Sequence, residues 1–370
     1  MNRLNATILA LLMITVPLSG CIGDKDKIDD GGIAADDEKE VLDDWKEDCE
    51  IWEYWNPDLI DESLPGNGCP HHPDAENKDN ETIVSDFVGS VVFETPGEAV
   101  LSGVSVPFIY YEEATYYLYM CNGTEGHHYS TSSDGLNFSS PLRTGIGGCG
   151  LNFVKLNDGT YRLYTTTKVT LENGTESINS TSAIFTNLTD IGPTNRVSDN
   201  GTNAQSTGEP CNDFMGTPSV VRLNESDDSV RLYFSCSEPS HMAGFTSADG
   251  INFGTSDGIL LYQAIDIEIH DIGDGYRVFY TMMNPDVHPE ITPFHPQEIM
   301  TAVSDDGLNW TVEGMIANVT TVAEGLEMEI GVLADPSAVL LEDGSWRIFF
   351  GSASEKTDNH GGIYSLRWTP

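Results

Sequence analysis

Five short runs of alternating aromatic and apolar residues govern what this chain can fold into: "YYLYM" (116–120), "YRLYT" (161–165), "VRLYF" (230–234), "YRVFY" (276–280) and "WRIFF" (346–350). Such alternation is that of a half-buried strand. A tight turn precedes most of them, as in "NDGTYRLY", "GDGYRVF" and "EDGSWRIF", and an apolar run such as "PSVVRL" or "PSAVLL" precedes the turn. Apolar run, Asp-Gly turn and aromatic strand make a β-hairpin. Downstream of three hairpins comes a second turn box, Ser-x-Asp-Gly-Leu/Ile-Asn-aromatic, at 132–138, 247–253 and 304–310. The runs recur at intervals of 45 to 70 residues. Five units of about four strands predict an all-β five-bladed β-propeller over residues 83–370. The last unit ends at "GGIYSLRW", one strand short, and "VGSVVFET" (88–95) is the segment expected to complete it.

The residues before the repeat read differently. "MNRLNATILALLMITVPLSGC" has a positive start and an apolar stretch too short to span a bilayer, so residues 1–20 read as an export signal. Its last four residues resemble a prokaryotic lipobox, which implies cleavage before Cys21, lipid attachment to that thiol and a cell-surface location. Residues 21–44 are acidic and poor in aromatics, as a disordered tether would be. Residues 45–82 contain Trp45, Trp52 and Trp55 between Cys49 and Cys69, which suggests a small stapled segment with aromatics suited to glycan contact. Cys121 and Cys211 partner most naturally with Cys149 and Cys236, giving three disulfides in an exported chain. Ten Asn-x-Ser/Thr sequons fit the same setting.

A net charge of −42 with only 17 Lys plus Arg excludes nucleic acid and anionic membrane surfaces as partners. A neutral glycan suits it better than an acidic one, and a divalent cation such as calcium is the cofactor it would tolerate. A monomer is expected.

"ADPSAVLLEDGSWRIFF" and the Ser-x-Asp-Gly-x-Asn-Trp box give residues 83–370 a resemblance to the five-bladed glycoside hydrolases of the arabinanase/xylosidase and invertase type, families 43 and 32. The box is also similar to the Asp-box of sialidases. Sialidase chemistry needs free arginines for a substrate carboxylate, whereas Arg162, Arg231, Arg277 and Arg347 recur at one strand position and read as structural. The resemblance implies hydrolysis of a glycosidic bond by carboxylates at the starts of inner strands. Only Asp335-Pro336 has the family's Asp-Pro form; Val106 stands at the first unit's position, "GLNFVKL" opens the second, and Thr217 precedes Pro218 in the third. A surface module that binds glycan or protein without catalysis is therefore the alternative reading.

In a propeller the starts of inner strands and the loops between second and third strands share one face. Those loops hold His127, His128, His241 and His288, proposed sugar contacts with Glu268 and Glu329. "AIDIEIHD" (264–271) is the fourth unit's inner strand, and its alternation puts Asp266, Glu268 and His270 on one side. Asp266, Glu209 and Asp335 are the candidate acid, base or nucleophile. Asp266 with His270 is the candidate metal pair. A hydrogen-bonded polar plug between blades is the plain reading of the same strand.

Overall fold

The computed structural model describes residues 63, 86–170, 176–198, 204, 214–236, 240–282, 298–353 and 361–370. The chain divides into two compact units, Met1–Glu81 and Thr82–Pro370, and the architecture below is that of the second. Two strands come first, β1 (Ser90–Val92) and β2 (Leu101–Ser102). Blade 1 follows as β3 (Ser105–Glu112), β4 (Thr115–Cys121), β5 (His127–Ser132) and β6 (Leu142–Arg143). Blade 2 is β7 (Leu151–Lys155), β8 (Tyr161–Thr170), β9 (Glu176–Phe185) and β10 (Val197–Ser198). Blade 3 is β11 (Phe214–Arg222), β12 (Val230–Cys236), β13 (His241–Ser247) and β14 (Ile259–Tyr262). Blade 4 is β15 (Ile265–Asp271), β16 (Tyr276–Met282), β17 (Glu298–Ser304) and β18 (Thr311–Asn318). Helix α1 (Val319–Leu326) leads to blade 5: β19 (Val332–Leu340), β20 (Trp346–Ala353) and β21 (Gly362–Thr369).

Each sheet is antiparallel and runs in chain order from the inner strand outward. The fifth lacks an outer strand of its own and takes one from the start of the unit. Ser90 faces Thr369 and Val92 faces Arg367, while Leu101 faces Ile363 further along β21. The expected closure by residues 88–95 is thus made by β1, with β2 continuing the same edge. Trp368 Nε1 donates to the Val88 carbonyl at 2.8 Å and fixes the join. The buried apolar side chains of the described residues form five clusters, one in each seam between neighbouring blades. Face-to-face burial of aromatic and β-branched residues is what a sheet with two covered faces requires.

The turn boxes and the repeated arginines are two halves of one device. In the first box Asp134 Oδ1 accepts from the backbone N–H groups of Leu136 and Asn137, both at 2.8 Å, and its Oδ2 accepts from Asn137 Nδ2. Asp249 and Asp306 repeat the pattern. The glycines of the boxes, Gly135, Gly250 and Gly307, take φ near +70°, and a Cβ there would strike the preceding blade's arginine or tyrosine. Arg347 Nη1 donates to the Asp134 carbonyl, Arg231 Nη1 donates to the Asp306 carbonyl at 2.9 Å, and Arg162 lies against Gly250. Blade 5 has no box to receive Arg277, which turns to Glu313 of its own blade and stacks on Trp368. Blade 1 carries Tyr117 at the arginine position, and blade 2 after it has no box. The four arginines are buried, and their structural reading holds.

Among the described residues no helix is long and apolar enough to cross a membrane. Cys121 is bonded to Cys149 as expected. Cys236 is disulfide-bonded too. Cys21, Cys49, Cys69 and Cys211 lie outside the described residues.

Candidate functional site

The inner strands of blades 1, 3, 4 and 5 share an irregularity near their first residues. Pairing with the second strand skips between Ser105 and Phe108, Met215 and Ser219, Ile265 and Glu268, and Ala334 and Ser337. One extra residue is accommodated in blades 1, 4 and 5 and two in blade 3, and Val106, Thr217, Asp266 and Asp335 stand in these bulges. Val106, Asp266 and Asp335 adopt φ of 53°, 49° and 50°, a left-handed conformation that costs a non-glycine residue about 1–3 kcal/mol. Bulges of this kind re-aim side chains next to functional sites. Here they bring Asp266 and Asp335, on adjacent blades, against each other.

The two aspartates line a narrow axial cavity with Thr217, Asn152, Phe108, Glu268 and Ser337. Its volume is about 10 Å³, the lower limit for a single water. Asp266 Oδ2 accepts from the Thr281 hydroxyl at 3.0 Å and from the Asp335 backbone N–H at 3.4 Å. Asp335 Oδ1 is buried with no hydrogen-bond partner. Burial raises the proton affinity of Asp266, and those two donors oppose it. Burial, and then the neighbouring Asp266 charge, push the Asp335 carboxyl well above the ordinary carboxylate range. A strained, buried pair of carboxyls with raised proton affinity is a recognised signature of acid/base chemistry.

Glu268, two residues further along β15, is differently placed. Its Oε1 accepts from the Ser337 hydroxyl at 2.8 Å, and its Oε2 accepts from the Ala338 backbone N–H. The same bond recurs around the ring: Ser219 Oγ accepts from the Ile269 N–H and Ser337 Oγ from the Ile109 N–H, at 2.8 and 2.9 Å. Glu268 thus occupies the blade-to-blade staple position that serine holds in blades 3 and 5, the polar plug foreseen for this strand. His270 lies 3.2 Å from Glu268 Oε2 but without hydrogen-bond alignment, and packs edge-on against Trp346 and Phe279. It is four residues from Asp266 on one strand, about 13 Å at the usual rise. The structure does not bring this metal pair together, and no group of three or more His, Cys, Asp or Glu suited to a metal forms among the described residues.

The histidines expected on the rim sit below it. His127 and His128 begin β5 and His241 begins β13, and all three are buried. Burial, with His128 and Arg196 adding to it, lowers the His127 pKa to about 3. His128 Nδ1 is 3.2 Å from the Gly126 carbonyl. Glu329 is exposed in the link between α1 and β19. Glu209 and His288 lie outside the described residues. Sequence reasoning missed Thr281, the hydroxyl donor to Asp266, and Gly351, its counterpart beside Asp335; both sit on second strands where no pattern marks them.

Solved structures with the same architecture can now be set beside this geometry. An endo-1,4-β-xylanase from Bacteroides thetaiotaomicron is 14% identical, covering 72% of this chain and 91% of its own, with a TM-score of 0.51. A thermostable family-43 glycoside hydrolase gives 14% identity, coverage of 74% and 91%, and a TM-score of 0.51. The catalytic domain of a family-62 α-L-arabinofuranosidase from Coprinopsis cinerea gives 11%, 76% and 97%, with 0.52. The likeness is one of fold. No protein-family model matches the chain, and no curated protein matches it.

Proposed function

We propose that this propeller acts on carbohydrate at the face where the inner strands begin, with Asp266 and Asp335 as its reactive pair. The observation that carries the reading is their placement: equivalent left-handed bulges on adjacent blades hold both carboxyls in a narrow buried cavity, with Asp335 Oδ1 unpartnered. The chemistry that suits such a pair is one side of the acid/base work of glycosidic-bond hydrolysis, with Glu209 as the second, spaced carboxyl that the reaction requires. Support comes from the fold shared with glycoside hydrolases. Glu209 remains the candidate second acid; His288, Glu329 and the Trp-rich segment remain candidate sugar contacts. The molecule is proposed to act as a monomer, exported and held at the cell surface through a lipid on Cys21. A Cys21→Ser change should then release it into the medium.

A second reading is a module that binds glycan or protein without turnover. Val106 and Thr217 in place of acids in blades 1 and 3 favour it. A panel of oligo- and polysaccharides, with and without calcium, separates the two when scored for binding and for reducing-end release. Release abolished by Asp266→Asn or Asp335→Asn supports hydrolysis. Binding without release supports the module, and neither would remove carbohydrate as the partner.

A further inference from the structure

We propose that Asp266 and Asp335 hold one proton between them, carried by Asp335, and that Gly351 is the positioning residue that keeps it there. Its relevance to turnover rests on the functional reading above; the proton itself is assigned from geometry. Ile265 pairs with Thr281 in blade 4, and Ala334 pairs with Gly351 in blade 5. Thr281 and Gly351 therefore occupy the same place beside the two bulged aspartates. Thr281 supplies a hydroxyl to Asp266 Oδ2. Gly351 has none to give, although a Cβ there would meet nothing nearer than the Ala334 carbonyl at 3.5 Å. The seat for a hydroxyl exists in blade 5 and is left unfilled.

The backbone repeats the asymmetry. The Asp335 N–H points at Asp266 Oδ2, so that oxygen collects two donors while Asp335 Oδ1 collects none. Two buried carboxyls on adjacent bulges, one accepting from the other's backbone N–H, do not both ionise, and the proton settles on the one whose anion is solvated worse. That one is Asp335. Among the described residues, Glu268 is the one further titratable group lining the cavity, and the Ser337 and Ala338 donors hold it. Blades 1, 2 and 3 present Pro107, Phe108, Asn152 and Thr217, none of which titrates. The upward shifts found for both aspartates, larger in direction for Asp335, agree.

The test is infrared spectroscopy of the full chain with carboxyl-labelled aspartate, titrated with circular dichroism as a check on folding. The wild type should keep one protonated aspartate at neutral pH, and Asp335→Asn should remove it. Gly351→Ser, which fills the seat, should lower the midpoint by about one pH unit, a tenfold weaker hold on the proton. Thr281→Val should move the proton towards Asp266, and Thr281→Ser should restore the wild-type titration. A wild type with no protonated aspartate at neutral pH overturns the proposal. So does a band that survives Asp335→Asn, or a midpoint that neither Gly351→Ser nor Thr281→Val shifts. A confirmed proton with no glycan bound or released leaves this inference standing and removes the functional reading; the converse removes this inference alone.

Discussion

Asp134, Asp249 and Asp306 in the outer turns, and Asp266 and Asp335 at the axis, put one side chain in opposite surroundings. Each turn aspartate accepts four hydrogen bonds, as Asp134 does from Ser132, Leu136 and twice from Asn137. Those donors hold its carboxyl well below the ordinary range. Asp266 accepts two bonds, and Asp335 Oδ1 accepts none. Both axial carboxyls are pushed the other way by burial. The turn aspartates account for themselves as architecture, since they close a hairpin, and Asp134 and Asp306 present a carbonyl to the preceding blade's arginine. The left-handed bulge recurs at Val106 as part of the blade, but the axial pair adds desolvation and like-charge crowding, neither of which helps the fold. Arrangements that cost stability and persist are concentrated at functional sites.

Removing an arginine that joins blades should have the largest effect. Arg347 reaches Glu94 on the closing segment, the Asp134 carbonyl of blade 1 and the ring of Tyr116. Arg347→Ala should cost about 3–5 kcal/mol in urea unfolding, because it leaves a mostly buried glutamate unpaired at the ring closure. Next comes Asp249→Ala, which strips four bonds from one turn and should lower the melting temperature by several degrees. Its carboxyl is depressed in the folded state. The stability it lends is therefore complete above the unfolded-state value near pH 4 and lost as pH falls through the folded one. Scans at neutral and strongly acid pH should show the gap between variant and wild type closing on the acid side.

Asp335→Asn should do the opposite. A carboxyl whose folded pKa is raised binds its proton more tightly when folded, so its contribution is complete below about pH 4 and is lost as pH rises through the raised value. Replacing it should stabilise the protein at neutral pH, with the gain vanishing in acid. Calorimetry at two pH values reads the sign. The smallest change should be Glu268→Ser, which restores the residue that blades 3 and 5 use for the staple. Unfolding in urea should shift by less than about 1 kcal/mol, and retained glycan binding would leave Glu268 a purely structural role.

How much of this was legible beforehand follows from the range of each interaction. The hairpins and turn boxes are local, so residue order alone announces them, and the closing strand was implied by the last unit's missing edge. The structural reading of Arg162, Arg231, Arg277 and Arg347 came from their shared register, although their partners in the next blade did not. The sequence singles out Asp266 and Asp335 separately, but the contact between them spans 69 positions and depends on a backbone bulge. Pro107, Pro218 and Pro336 mark three of those bulges; Ile267 at the fourth gives no sign. Glu268 stood out as an acid in an apolar run, and its meaning appeared only with Ser219 and Ser337 in equivalent places. Loop placement suggests exposed rim contacts for His127, His128 and His241, whereas all three begin third strands and are buried. Periodicity of two assigns a face and not a depth.

The central claim is that the axial pair serves function and the turn aspartates serve the fold. The most direct test is Asp335→Asn, measured on one preparation for melting temperature at neutral pH and for binding and release across the glycan panel. The account predicts a protein at least as stable as wild type that has lost its action on the glycan. A variant that melts earlier at neutral pH, or keeps full binding and release, would contradict it.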